Sequence, residues 1–265
     1  EELLALAEKN ELKVWSLTDH DTLAGYDKLV ALQNALQGSD FAKPPKLIPG
    51  VEISCDWNNT TIHILGLAFN PRATSILTFL SMQQNRRQKR AVNIGQRIQD
   101  KLKISNAYEK ACLVSGDQLP ARPHFATLLI ESGVVESHSE AFKKYLGAGK
   151  WGDVKLFWPA MAELVEAVHQ AGGITAVAHP FQYDMTATKL RGLLDEFCRL
   201  GGDAVELAVP NISHGHFSWM VDELVRRKLA QSGGSDFHGT FTPWCQLGFF
   251  PQLSDKVPSV AALVS

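Results

Sequence analysis

Short apolar runs alternate with helix-length amphipathic stretches in both flanks of the chain, and this alternation constrains the fold more than any other feature of the sequence. From about residue 160 it is regular. A helix over 161–171 stops at Gly172-Gly173 and leads into a strand over 174–178. A helix over 187–200 stops at Gly201-Gly202 and leads into a strand over 204–207, and a helix over 216–228 leads into a strand over 229–232. Near the start, a helical pattern with Leu3, Leu6 and Ala7 on one face is followed by a strand over 12–17, a helix over 24–37, Pro44-Pro45, an extended run over 47–53 and a strand over 61–67. Asn58-Asn59 marks the turn between the last two. Strands alternating with helices imply βα units and a parallel sheet.

The alternation breaks between residues 73 and 146, where Ile94, Ile98 and Leu102, then Phe125, Leu128 and Leu129, then Phe142, Tyr145 and Leu146 follow helical spacing. We read 71–158 as a helical insertion subdomain in a body made of 1–70 and 159–265.

Residues of metal-ligand type fall at or near the strand ends: Asp19-His20-Asp21, Glu52, His179, Glu206 and Asp236-x-His238, with His63 inside a strand. In parallel α/β folds, and above all in (β/α) barrels, functional side chains gather at the C-terminal strand ends, so residues remote in sequence converge on one mouth. Imidazole and carboxylate without thiolate suits Mn²⁺, Zn²⁺ or Fe²⁺. Any one of these residues alone reads more readily as a hydrogen-bonded structural group than as a ligand, and the reading rests on the set. His138 and His169 sit in helical settings, and His214-x-His216 falls in a loop with no strand behind it. None of these four is assigned as a ligand.

Lys plus Arg number 26 and Asp plus Glu 28, for a net charge of −2. A chain so near neutrality has no global field to draw in duplex DNA. No run of about 18 apolar residues is present to span a membrane. The first residues, Glu1-Glu2, begin no signal peptide. Cys55, Cys112, Cys198 and Cys245 are far apart and form no C-x-x-C, which suits reduced thiols in the cytoplasm. The chain opens directly into a helical pattern with no initiator Met and no cap, and the expectation is that an upstream element precedes it.

Thr18-Asp19-His20-Asp21, Pro49-Gly50-Val51-Glu52, Ile62-His63-Ile64-Leu65-Gly66-Leu67, Ala178-His179-Pro180 and Gly234-Ser235-Asp236-Phe237-His238 resemble the successive motifs of the PHP (polymerase and histidinol phosphatase) metallophosphoesterases. Arg122-Pro123-His124-Phe125-Ala126 and Lys144-Tyr145-Leu146-Gly147-Ala148-Gly149-Lys150 are similar to the insertion of one branch, the nucleoside 3′,5′-bisphosphate phosphatases.

The resemblance implies an α/β fold, a distorted (β/α)7 barrel with metals at its mouth. It implies Glu52, His63 and His179 on one metal, Glu52 bridging to a second that also takes Asp236, and His20 and His238 on a third. Two or three divalent ions are therefore expected, with Mn²⁺ preferred and Zn²⁺ or Fe²⁺ as alternatives. The family's opening strand carries H-x-H and an Asp, and it precedes the helix at which this chain begins. The expectation is thus a barrel lacking its first strand, with weak activity for residues 1–265 alone.

The implied activity is phosphate release from nucleoside 3′,5′-bisphosphates and from 5′ ends of short RNA, with a metal-activated water in place of a side-chain nucleophile. No G-x-S-x-G or P-loop motif offers another route. Arg122 and Lys150 are candidate clamps for a second phosphate, because a guanidinium offers a bidentate fork. Arg86-Arg87-Gln88-Lys89-Arg90 reads as a solvated helix face, and Phe125, Trp151 and Trp158 read as core rather than as base-stacking rings. Rival readings are a PHP phosphatase of the histidinol-phosphate type and a non-catalytic metal-binding module.

Overall fold

A computed structural model describes residues 2–36, 45–116, 119–155, 158–238 and 246–264. Glu1, residue 37, Pro44 and Cys245, named above, lie outside them. No described helix is long and apolar enough to cross a membrane.

The chain forms two compact units, Glu1–Phe79 with Pro159–Ser265, and Leu80–Trp158. The first opens with α1 (Glu2–Lys9), β1 (Val14–Trp15), α2 (Ala24–Ala35), β2 (Lys46–Leu47), β3 (Gly50–Trp57) and β4 (Thr60–Leu67). Helix α3 (Thr74–Leu102) starts in this unit and continues into the second, which adds α4 (Ala107–Ser115), α5 (Arg122–Glu131) and α6 (His138–Ala141). The chain then returns to the first unit with α7 (Met161–Gln170), β5 (Ile174–Val177), α8 (Ala187–Arg199), β6 (Ala204–Ala208), α9 (His214–Arg227), β7 (Ala230–Gly233) and α10 (Val260–Leu263).

The fold is mixed α/β. The described strands make a parallel pair β1-β2 and a five-stranded sheet in the order β3-β4-β5-β6-β7. The sheet departs from the expected parallel arrangement. β5, β6 and β7 run parallel, but β3 pairs antiparallel with β4 and β4 antiparallel with β5. The cause is the Asn58-Asn59 turn. Both residues adopt left-handed backbone (φ 49° and 62°), which closes a two-residue hairpin between Trp57 and Thr60. Asparagine tolerates that conformation better than most residues.

Helix ends follow the glycine signals. Gly172 (φ 75°) and Gly201 (φ 85°) adopt left-handed backbone just beyond α7 and α8, whose last helical residues are Gln170 and Arg199. One apolar layer joins Leu65 and Leu67 of β4 to Ala176, Ala204, Ala230 and Val260. The small alanines let helices and strands approach closely. A separate cluster of Leu4, Ala7, Trp15 and Leu29 seats α1 and α2 around β1.

In the second unit, Ile94 and Ile98 of α3 pack with Phe125, Leu129 and Leu146, all essentially inaccessible. Fully burying each such side chain contributes about 1.5–3 kcal/mol. Phe125 is therefore core, as the sequence suggested.

Candidate metal centre

Strand β3 is buried on both sides, so its polar residues require internal partners. The segment after β1 supplies them. Asp21 N donates to Glu52 O (2.8 Å), Glu52 N donates to Asp19 O (3.2 Å), and the fully buried Asp21 carboxylate accepts from Ser54 N (2.9 Å). These bonds lay Thr18–Asp21 parallel to β3 and bring His20 Nδ1 to 3.7 Å from Glu52 Oε2.

His63 pairs with Ser54 in the hairpin register, while Glu52 pairs with Leu65. Side chains two residues apart share a sheet face, so His63 and Glu52 are diagonal neighbours on one face. His63 Nδ1 reaches Glu52 Oε1 at 2.8 Å. From the other side, His179 Nε2 reaches the same oxygen at 2.9 Å, and the two ring nitrogens lie 3.3 Å apart. His179 follows β5 on left-handed backbone (φ 28°), and its N–H donates to Glu206 Oε2 (2.9 Å).

Asp236 follows β7, also left-handed (φ 48°), and its Oδ2 accepts from Gln182 Nε2 at 2.9 Å. Ligand atoms of His20, Glu52 and His63 lie within 4.8 Å of one another, as do those of Glu52, His179 and Asp236. Glu52 belongs to both triads. His238 is half-exposed at the edge, its ring 5.9 Å from that of His20 and its Nδ1 2.9 Å from Asp236 O.

Burial alone would raise the pKa of Glu52, but hydrogen bonds with His179 and His63 and the charge of His20 override it and hold the carboxyl well below its usual range. For His179, burial works against the proton, and the Glu52 hydrogen bond and charge win, so its pKa is raised. Glu206 behaves oppositely. Burial pushes its carboxyl up to about 7 despite the His179 N–H. Gly234 makes room for it, since a Cβ there would lie 2.0 Å from Glu206 Oε1.

The donor set fits a divalent cation. Two imidazole nitrogens converge on one carboxylate oxygen and on each other, a crowding that protons can satisfy only in part. His179 Nδ1 is in addition buried with no hydrogen-bond partner among the described residues, and a buried orphan of this kind calls for a water, an ion or a functional role. Oxygen and imidazole donors without sulfur suit Mn²⁺, Zn²⁺ or Fe²⁺.

Two placements correct the sequence reading. Glu52 and Glu206 lie within strands rather than at their ends, because β3 and β6 extend past them, while His63 lies inside β4 as the sequence suggested. His214 and His216 open helix α9, capped by Ser213, rather than lying in a loop. Sequence reasoning missed two supporting residues. Tyr183 OH accepts from His63 N (2.8 Å) and donates to Ala178 O (3.1 Å), and Gln182 holds Asp236. Their proximity to His179 was the only available cue.

In the second unit, Arg122 Nη1 lies 3.6 Å from Asp153 Oδ1 and 3.4 Å from Leu146 O. Arg90 Nη2 lies 3.9 Å from the same Asp153 oxygen. Burial, then the charges of Arg122 and Arg87, push the Arg90 pKa down to about 10. Like charges thus crowd one carboxylate, and the local potential is positive. Lys150 is exposed. Trp151 packs on Tyr145, and the Arg87 guanidinium lies over Trp158.

No protein-family model matches the chain. A 5′-3′ exoribonuclease from Haemophilus influenzae is 36% identical over 258 residues, 97% of this chain and 90% of that protein. A 3′,5′-nucleoside bisphosphate phosphatase from Chromobacterium violaceum is 32% identical over 224 residues, 84% of this chain and 76% of that protein. The solved structure of an amidohydrolase from Chromobacterium violaceum, with sulfate and no metal, is similar with a TM-score of 0.84 at 27% identity, over 99% of this chain and 89% of that one.

Proposed function

The chain belongs to the family of the bacterial 5′-3′ exoribonucleases and 3′,5′-nucleoside bisphosphate phosphatases, PHP-type metallophosphoesterases, and from that membership we propose that it releases a phosphate from nucleoside 3′,5′-bisphosphates and from the 5′ ends of short RNA. It is a metal-dependent hydrolase. The observation that carries the reading is Glu52, shared between two triads of ligand-type side chains. When bound, divalent cations supply acidity to a water near neutral pH and neutralise phosphoryl oxygens.

The chain's own residues position that chemistry. Glu52, His63, His179 and Asp236 hold the paired ions, with His20 and His238 toward the exposed edge, and Mn²⁺ is the preferred ion. Glu206 fixes the backbone at His179, and Tyr183 fixes the backbone at His63. Arg122 and Lys150 take the phosphate that is not cleaved. The catalytic body is a distorted PHP barrel formed by the flanks of the chain, with the helical insertion serving the substrate. Cys55, Cys112 and Cys198, the free cysteines among the described residues, suit a cytoplasmic setting.

A substrate panel with the full-length protein and Mn²⁺ tests the reading. Adenosine 3′,5′-bisphosphate and 5′-phosphorylated short RNA should release phosphate faster than adenosine monophosphate or histidinol phosphate, and a chelator should stop release. Preference for histidinol phosphate, or no turnover with Mn²⁺, Zn²⁺ or Fe²⁺, would overturn it.

A further inference from the structure

The turn that carries His179 runs on into an aromatic arrangement that phosphoester chemistry does not use. Phe181 sits in the single helical turn Pro180–Gln182. Its ring stacks on His216, with centroids 4.5 Å apart and planes within 5°. Trp219 meets Phe181 edge to face at 6.0 Å and 66°, and the Arg191 guanidinium lies 5.3 Å from the Trp219 ring. Phe181 and Trp219 are half-buried and His216 is exposed. Stacked rings inside a core satisfy each other, whereas this stack ends on an imidazole open to water.

The arrangement is anchored on both sides. Ser213 Oγ accepts from His216 N (3.1 Å) and fixes the first turn of α9. The residue after Phe181, Gln182, holds Asp236 of the metal centre at 2.9 Å. The Cα atoms of His179 and Phe181 are separated by at most roughly 7 Å. A group extending from a phosphate at the metal centre therefore has an aromatic surface within reach.

We propose that the Phe181–His216 stack, backed by Trp219 and Arg191, is a platform for the nucleobase of the nucleotide whose phosphate is hydrolysed. The inference rests on the phosphoesterase reading above and deepens it. Bases stack on Phe and His rings regardless of identity, because every base has a π-face. The platform thus selects nucleotides over base-free sugar phosphates without selecting among bases. The aromatic rings of the second unit are less suited, since Trp151 and Trp158 are already engaged by Tyr145 and Arg87.

The test compares kcat/KM for adenosine 3′,5′-bisphosphate with that for ribose 3,5-bisphosphate in the full-length, Mn²⁺-loaded protein. His216→Ala should lower the ratio about tenfold, chiefly through KM, while His216→Phe should hold it within about threefold. His216 is exposed, so neither change threatens the fold. An unchanged ratio in His216→Ala would overturn the platform. If the wild type hydrolyses neither compound, the phosphoesterase reading fails, and the platform is judged separately by titrating adenosine into the protein. Upfield shifts of the His216 imidazole protons, identified by their loss in His216→Ala, support it. Their absence overturns it.

Discussion

Glu52 Oε1 accepts from His179 Nε2 at 2.9 Å across 127 residues of chain, joining strand β3 to the turn after β5. The pair assembles only when both halves of the sheet are in place, so metal binding reports on the tertiary fold. Removing a group that merely orients a ligand weakens metal affinity about 10–100-fold. His179→Ala should therefore weaken Mn²⁺ binding by more than about 100-fold, measured by elemental analysis after chelator rinsing and by metal titration. Unchanged metal content would remove His179 from the ligand set.

Glu206 makes metal-free stability depend on pH. Its carboxyl titrates at about 7 in the folded protein against 4.5 ordinarily, so the folded chain binds the proton more tightly than the unfolded one. Stability is fully present below about pH 4.5 and is lost as pH rises toward 7, by up to about 3 kcal/mol. Glu206→Gln keeps an oxygen for the His179 N–H and abolishes the titration. In chelator, the variant should exceed the wild type in urea resistance at pH 8 and match it at pH 4.5. A wild-type profile that stays flat from pH 4.5 to 8 would show that Glu206 titrates normally.

Arg122 shares the Asp153 carboxylate with Arg90, so the cluster is cationic beyond what its acid neutralises. Losing a charge-assisted contact to phosphate costs about 1.5–3 kcal/mol, or roughly 10–100-fold in kcat/KM. Arg122→Ala should lower kcat/KM by that factor on adenosine 3′,5′-bisphosphate and much less on the 5′-monophosphate. Equal losses on both substrates would return Arg122 to a structural role beside Asp153.

Asp203 ties β5 to β6 away from the metal centre. One carboxylate oxygen lies 2.8 Å from each of Thr175 N, Thr175 Oγ1 and His169 Nε2. Thr175 is fully buried, so Asp203→Ala leaves its donors without that partner and should destabilise the protein by about 2 kcal/mol. Asp203→Asn should lose less. Urea midpoints measure both, and metal stoichiometry should not change. A loss of unfolding free energy below about 0.5 kcal/mol for Asp203→Ala would show that water replaces the carboxylate.

What the sequence disclosed, and what it hid, divides by the range of the forces involved. Helix ends at Gly172 and Gly201 and the turn at Asn58-Asn59 were legible, because each is decided by local backbone sterics. The antiparallel pairing of β4 with β5 was not, because it joins strands far apart in the chain whose apolar runs suit parallel and antiparallel neighbours alike. Ligand-type residues stood out because carboxylates and imidazoles are rare in apolar strands. The grouping around Glu52 depends on register, which a linear pattern does not contain. The stack of Phe181 on His216 joins two elements far apart in sequence, and neither residue type announces it.

Asp21, His179 and Asp236 all hold left-handed backbone, at φ 55°, 28° and 48°. For residues with a Cβ this conformation costs about 1–2 kcal/mol each, a burden glycine would largely lift. Asp21 bonds the strand that bears Glu52, and the other two lie at the centre itself. A search for stabilising substitutions conducted with no knowledge of activity would therefore be drawn to His179 and Asp236, where relaxing the backbone removes the ligand. In this protein the positions where stability is gained only by giving up function trace the outline of the chemistry.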